Sequence, residues 1–193
     1  MFSCRDDSVI YFLRDNKSLL NKWSANKRFS YFLSRMTNTP YSLGHESYSL
    51  SDCSGSVCLS LMLATGEAVR TTSDCLLRTF FTLPYDREKI SAAFFTCRKD
   101  FTDAGRSYHK GECVHCAGVC GNGVVLNCAP PSSYLISLNT MIKNYDALGY
   151  DCVIKSLDLK AFKAYALKAG GDKGLDDEFN VLHRFLKEGF YGL

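Results

Sequence analysis

Cys53 has the sequence context of a reactive nucleophile. Ser51 and Asp52 precede it, and an apolar run that ends at Gly66 follows it. Polar capping residues and a terminal glycine are typical of helix boundaries, so the run predicts a short buried helix with Cys53 in its first turn. The free amides and the positive dipole at that end favour the thiolate and can stabilise the oxyanion that its attack creates. The alternative is an unreactive cysteine that only fills the core.

A thiolate nucleophile needs a general base, and the chain has four histidines that could supply one. His115 begins a predicted strand, which holds a side chain more rigidly than a loop does. His45 lies in a polar loop before Cys53, His109 lies in a charged loop, and His183 lies on a predicted C-terminal helix. His115 is therefore the first candidate for the base and His45 the second, whereas His183 is expected to be structural.

Asn127 is the candidate for the residue that orients the base. Two predicted strands, 114–120 and 124–128, flank Gly121-Asn122-Gly123, which indicates a β-hairpin. A three-residue loop places Asn127 on the same face as His115, close enough for contact, whereas a two-residue turn moves it to the opposite face. The triad hypothesis thus requires the longer loop. Otherwise Asn127 only bonds backbone groups at a strand end.

Four cysteines near His115 give an alternative, a metal site or a cysteine-rich binding module. They are Cys113, Cys116, Cys120 and Cys128. Zinc sites of the C-x2-C kind lie on turns, where both sulfurs can reach one ion. Here a strand is predicted, so Cys113 and Cys116 should point to opposite faces, and no second C-x2-C pair completes the set. We therefore expect no metal, and we expect free thiols throughout.

The composition is that of an ordinary globular protein with one core. The chain has 193 residues, of which 46% are hydrophobic and 22% are charged, and its net charge is +3. The lysines are dispersed, so no nucleic-acid partner is expected, although slight basicity would suit an anionic polymer. No segment is long and apolar enough for membrane insertion, and the first residues lack the pattern of a secretory signal.

Hydrophobic periodicity and turn residues predict the elements around these side chains. Residues 98–112 are predicted to form a surface loop. The predicted helices are 8–23, 28–36, 75–81, 134–148, 159–169 and 175–188, and the further predicted strands are 90–97 and 151–157.

Four motifs in order resemble those of the NlpC-type papain-like cysteine peptidases, a family of bacterial cell-wall endopeptidases. Thr39-Pro40-Tyr41-x-x-Gly44 is followed by Asp52-Cys53-Ser54-Gly55, which is similar to the family's T-P-Y-x-x-G-G and D-C-S-G signatures. Val69-Arg70-Thr71-Thr72-Ser73 resembles its P-R-T-S segment. The stretch from His115 to Asn127 resembles its histidine strand, with the third polar residue twelve positions after the histidine.

The resemblance covers about residues 30–135 and implies an α+β, papain-like fold. In this fold the nucleophile helix packs on a central antiparallel sheet, with helices before it and further helices at the C-terminal end. The implied organisation is an N-terminal helical extension (1–29), a catalytic core (30–135) and a C-terminal completion of the same domain (136–193).

The resemblance also implies a chemistry and the residues that perform it. The reaction is hydrolysis of an amide in peptidoglycan stem peptides, typically between γ-D-glutamate and a diamino acid, through a thioester and without a cofactor. It would occur at the cell wall, after removal of a signal, after non-classical export, or by an effector delivered to rival bacteria. A related thiol amidase with another substrate is an alternative. The implied roles are nucleophile for Cys53, base for His115, orienting residue for Asn127, substrate contacts for Tyr41, Asp52 and Ser54, and a structural or carboxylate-binding role for Arg70.

Overall fold

The computed structural model describes residues 6–171 and 173–191, and it combines helices with an antiparallel sheet. The predicted α+β class is confirmed. The helices are α1 (Asp6–Asp15), α2 (Lys17–Lys22), α3 (Ala25–Ser34), α4 (Cys53–Thr65), α5 (Ser73–Cys75), which a π-helical turn (Leu76–Phe80) continues, α6 (Leu138–Ala147), α7 (Leu159–Lys168) and α8 (Asp177–Lys187). The strands are β1 (Leu83–Pro84), β2 (Ser91–Cys97), β3 (Phe101–Asp103), β4 (Arg106–Tyr108), β5 (Cys113–Gly121), β6 (Val124–Asn127), β7 (Tyr134–Ser137) and β8 (Tyr150–Ser156).

The main sheet has six strands in the order β1-β8-β2-β5-β6-β7, and every neighbouring pair is antiparallel. The central strand β2 is almost wholly buried. Apolar side chains cover both faces of the sheet, because the larger core cluster includes α3, α4 and α8 on one face, and a smaller cluster includes α6 on the other. The helix that begins at Cys53 thus packs on the central sheet, as predicted.

Helix α4 has the boundaries that its sequence predicts. Asp52 caps it by accepting a 2.6 Å hydrogen bond from the Gly55 amide, and Gly66 ends it in the left-handed conformation with φ of 79°. All thirteen residues between them are buried. A run of apolar and small residues without charges suits a helix that is covered on every side, and it fixes the position of the cysteine at the first turn.

The single helix predicted over 8–23 is wrong, because α1 and α2 are separate. The break occurs at Asn16, whose side-chain amide donates to the Phe12 carbonyl oxygen at 2.9 Å. An asparagine side chain that bonds backbone groups competes with helix continuation.

The helix predicted over 134–148 also divides, because its first residues form β7. Tyr134 to Ser137 pair with β6 at the edge of the sheet, and α6 begins only at Leu138. Ser137 is the boundary residue, since its hydroxyl accepts from the Thr140 amide and caps α6. The apolar spacing in this segment fits both a helix and a strand, and pairing with β6 favours the strand.

The surface loop predicted over 98–112 contains the β3–β4 hairpin instead. Ala104 and Gly105 form its turn with positive φ angles of 47° and 80°, which suit a two-residue hairpin turn. Phe101 and Tyr108 stack across the two strands, with ring centroids 4.7 Å apart. The hairpin projects beside the main sheet and contributes to the groove described below.

The predicted chain segments share one core. Leu20 of the N-terminal segment, Val57 of the middle one and Phe179 of the C-terminal one belong to the same buried cluster. The boundaries at residues 29 and 135 remain predictions. Among the described residues, no helix has the length and apolar character that crossing a membrane requires.

Candidate active site

Cys53 lies at the N-terminus of α4, where a groove of about 1110 Å³ reaches the helix. Its side chain is largely covered, with a relative exposure of 9%. Gly55 N of the first turn is bonded to Asp52, whereas the amides of Cys53 and Ser54 precede the first intrahelical hydrogen bond and have no partner within the helix. The arrangement can both favour a thiolate and stabilise an oxyanion formed beside it.

The β5–β6 hairpin brings His115 and Asn127 together, by a route that differs from the expected one. The turn has only two residues, Asn122 and Gly123, with φ angles of 50° and 69°, so the predicted three-residue loop is wrong. A bulge at Cys120 shifts the pairing by one residue and restores the expected register, with Gly118 opposite Leu126. As a result, His115 Nε2 lies 2.8 Å from Asn127 Oδ1.

The surroundings of Cys53 and His115 favour an ion pair of the kind that activates a thiol. The neighbouring Cys116 thiol is the largest influence on Cys53, and with the nearby imidazole it outweighs burial and holds the pKa of Cys53 well below its usual value. Burial alone would lower the pKa of His115, but the charge of Cys53 and the hydrogen bonds that the ring donates to Cys53 and to Asn127 Oδ1 raise it. Each charge stabilises the other, so the two pKa shifts favour a thiolate beside an imidazolium.

Two tyrosines that the sequence did not single out complete this arrangement. Asn127 Nδ2 donates to the Tyr134 hydroxyl at 2.8 Å, which fixes the orientation of the carboxamide. The Tyr145 ring stacks on the His115 ring, with centroids 5.2 Å apart and planes 15° apart. Both tyrosines lie in the segment that had been predicted as one helix. Tyr134 was missed because its segment was predicted as helix and not as a strand paired with β6, and Tyr145 was missed because it is distant from His115 in the chain.

The proposed substrate contacts Asp52, Ser54 and Arg70 lie together, but their polar groups bind one another. Arg70 donates to Asp52 Oδ2 at 2.9 Å, to the Ser54 hydroxyl at 2.9 Å and to Glu46 Oε2 at 2.7 Å. Ser54 in turn donates to Asp52 Oδ1 at 2.9 Å. The Arg70 side chain is only 12% exposed, and that of Glu46 is fully buried. Arg70 therefore supports the helix cap, and Glu46 is a partner that sequence reasoning missed.

Tyr41 lines the groove beside Cys53. Burial, together with the negative charge of Cys53, raises the pKa of Tyr41 to about 12. The hydroxyl therefore stays protonated at neutral pH, and it can donate a hydrogen bond into the groove.

The loop before Cys53 is held by the start of α8. Glu46 N donates to Asp176 Oδ2, and Asp176 N donates to Glu46 Oε1, each at 2.8 Å. His45 Nδ1 lies 2.8 Å from Asp176 Oδ1, so the second candidate for the base is engaged there and not with Cys53. The C-terminal segment thus helps to position the residues that cap α4.

The four cysteines near His115 are dispersed around the core. Cys113 and Cys116 both face α4, so the prediction of opposite faces is wrong. The reason is a second bulge in β5, at Val114, which turns Cys113 back to the same side. The Cys128 thiol donates to the Ser51 carbonyl oxygen at 3.3 Å, and Cys120 is at the other bulge.

These thiols are neutral in the structure. Burial raises the pKa of Cys113, Cys120 and Cys128 to about 12 each. The nine cysteines of the described residues are free. Within the same residues, no three histidine, cysteine, aspartate or glutamate side chains are arranged to hold a metal ion.

Side chains from several parts of the chain line the groove around Cys53. Tyr41, Leu43 and Leu175 are among them. The β3–β4 hairpin and the segment from α6 to β8 contribute Phe101, Asp103, Arg106, Tyr108, Tyr145, Leu148 and Tyr150.

No protein-family model matches the sequence, and no curated protein matches it. Solved structures similar to the chain include NlpC1 and NlpC2 from Trichomonas vaginalis, with 16% and 15% identity and TM-scores of 0.47 and 0.48. Each match covers 69% of this chain but only 43% and 45% of the two proteins, so the chain spans less than half of their length.

A further similar structure is the NlpC/p60 domain of the peptidoglycan hydrolase SagA. Its identity is 18% and its TM-score is 0.44, and the match covers 67% of this chain and 96% of that domain. These three proteins carry the name NlpC or NlpC/p60, which is also that of the family whose motifs the sequence resembles.

Proposed function

We propose that the protein is a cysteine peptidase that hydrolyses an amide bond in peptidoglycan stem peptides, at the bond between γ-D-glutamate and the diamino acid. The observation that supports this most is that Cys53 and His115 both line one groove, with 2.8 Å between His115 Nε2 and the Oδ1 atom of Asn127. The motifs of the NlpC-type peptidases in the sequence supply the substrate class.

The proposed reaction begins with attack of the Cys53 sulfur on the scissile carbonyl carbon. The oxyanion that forms is stabilised by amide groups at the start of α4. His115, as imidazolium, then donates its proton to the leaving amine, and a thioester remains on Cys53. Neutral His115 next takes a proton from water, which attacks the thioester, and the free acid and the thiolate–imidazolium pair are regenerated.

Asn127 acts in this scheme by holding the ring of His115, not by contacting the substrate. Tyr134 holds Asn127 in turn, and Tyr145 covers one face of the imidazole. Tyr41 offers a protonated hydroxyl in the groove beside the sulfur. Asp52, Ser54 and Arg70 keep the α4 N-terminus in position.

The test is mass-spectrometric analysis of purified peptidoglycan after digestion. The wild-type protein should release fragments that end at γ-D-glutamate, and Cys53→Ala should release none while it keeps its circular dichroism spectrum. Cys58→Ala is the matched control, because Cys58 is a buried thiol on the same helix with a pKa raised to about 11 by burial. Equal digestion by Cys53→Ala would contradict the proposal.

A further inference from the structure

The charged residues of the groove are mostly acidic. Four carboxylates and two guanidinium groups line it, namely Asp52, Asp74, Asp103, Glu112, Arg70 and Arg106. The excess of negative charge is local, since the whole chain has a net charge of +3.

Both guanidinium groups of the groove are already neutralised by carboxylates. Arg70 is paired with Asp52 and Glu46, and Arg106 is paired with Glu112 at 2.8 Å. A ligand carboxylate that approached either group would have to displace an existing partner. Among the described residues that line the groove, no cation is therefore free to bind an anionic substrate.

Of the remaining carboxylates, Asp103 is the one best placed to repel an anion. It lies exposed on the β3–β4 hairpin and has no ion-pair partner within the described residues. Asp74 forms an ion pair with Arg78, which is outside the groove, at 2.8 Å, so its charge is partly compensated and it adds less repulsion. Like charges in a partly enclosed groove repel more than they do in bulk water.

The rim of the groove is apolar. Leu43, Leu148 and Leu175 are 79%, 71% and 76% exposed, more than any other large apolar side chain of the described residues, and all three line this groove. Such a rim stabilises a substrate with uncharged groups beside the scissile bond. Its leucine side chains have no polar group that could offset the free-energy cost of removing a carboxylate from water.

Stem peptides exist in forms that differ in whether the carboxyl groups near the scissile amide are free or amidated. A γ-linked glutamate keeps a free α-carboxylate next to the scissile amide, and diaminopimelate adds another. Amidation converts both carboxylates to neutral carboxamides. On the basis of the proposed function, we propose that the groove selects amidated stem peptides over their free-acid forms.

The experiment compares pairs of synthetic tripeptides that differ only in amidation. One pair is L-alanyl-γ-D-glutamyl-L-lysine and its isoglutamine form, and a second pair has diaminopimelate or its amide in place of lysine. We expect kcat/KM to be about five- to tenfold higher for the carboxamide of a cleaved pair, because several partly exposed charges each contribute a small repulsion. Added salt should reduce this ratio, since it screens the carboxylates.

Two variants with the same change in net charge separate local from general effects. Asp103→Lys should lower the ratio by accelerating the free-acid peptide. Glu88→Lys changes an exposed acid that is outside the groove lining and should leave the ratio unchanged. Free-acid cleavage that is as fast as carboxamide cleavage, or equal changes in both variants, would overturn the selectivity and leave the proposed function intact. Absence of cleavage in both pairs, or cleavage that persists in Cys53→Ala, would overturn both.

Discussion

The surroundings of Cys53 include residues that are near it in space and distant in the chain. The helix terminus could be predicted from the polar and apolar pattern around the cysteine. The influence of Cys116 could not, because it depends on which face of β5 carries that thiol. Likewise the tyrosines at His115 and Asn127 come from β7 and α6, and their approach depends on the whole sheet.

Replacement of Cys116 should change the pH dependence of the reaction. Because a thiol donor stabilises the Cys53 thiolate, Cys116→Ala should raise the pKa of Cys53, and the acidic limb of the kcat/KM profile should move to higher pH. A hydrogen bond to a charged group contributes about 1.5–3 kcal/mol, so the shift should be measurable. The basic limb, where His115 loses its proton, should move less.

Two further variants control this measurement. Cys116→Ser keeps a donor and should retain most of the acidic limb. Cys120→Ala removes a half-buried thiol from the same strand, at the other bulge, and should have the wild-type profile. Identical acidic limbs in Cys116→Ala and wild type would contradict the role given to Cys116.

Loss of Asn127 should reduce turnover more than substrate binding. Asn127→Ala removes the acceptor that orients His115, so we expect kcat to fall about 100-fold, within the usual contribution of positioned acid–base groups, with KM changed little. Tyr134→Phe removes only the hydroxyl behind Asn127, and its loss should be smaller. Steady-state kinetics on a stem tripeptide measures both. Similar losses in the two variants, or a change confined to KM, would exclude the orienting role.

At the scale of elements, two bulges in β5 decide which side chains meet. Without the bulge at Cys120, a two-residue turn would have put Asn127 on the wrong face. Without the bulge at Val114, Cys113 would have faced away from α4. Strict alternation predicts strands from sequence but cannot predict bulges, because an extra residue leaves no local sign. The existence of the hairpin was therefore predictable, and its turn and its cysteine faces were not.

The contact between α8 and the loop before Cys53 should be important for stability. Asp176→Ala removes the acceptor of the Glu46 amide and the partner of His45, so we expect the free energy of unfolding to fall by about 1–3 kcal/mol. Urea denaturation followed by circular dichroism measures this change. Asp177→Ala is the matched control, because Asp177 is the next residue and is exposed. An equal effect of both variants would show that only charge at the helix terminus matters.

At the scale of the whole molecule, the net charge of the chain is positive, whereas the charged side chains that line the groove are mostly acidic. A net charge of +3 is compatible with an anionic polymer as a partner, yet the groove contains twice as many carboxylates as guanidinium groups. Counting charges along the chain could not predict this, because folding brings the acidic residues of several loops together. The motifs nevertheless predicted Cys53, His115 and Asn127 as a group, since each has its own local pattern.

Removal of metal should leave the protein unchanged. The thiols of Cys113 and Cys116 face the core, and the Cys128 thiol donates to a backbone oxygen. We therefore expect that dialysis against a chelator changes neither the melting temperature nor the rate of peptide hydrolysis. Elemental analysis of the purified protein provides the check. Stoichiometric zinc or iron whose removal unfolds the chain would instead favour the cysteine-rich binding module.

The most direct measurement is to trap the covalent intermediate. A stem peptide is mixed with the protein, the reaction is stopped with acid within the first turnover, and the mass of the intact protein is determined before peptide mapping. We expect an adduct with the mass of the acyl fragment, attached to Cys53, that is absent from Cys53→Ala. An adduct on another residue, or hydrolysis of the same peptide by Cys53→Ala, would contradict the central claim that the thiolate at the start of α4 performs the reaction.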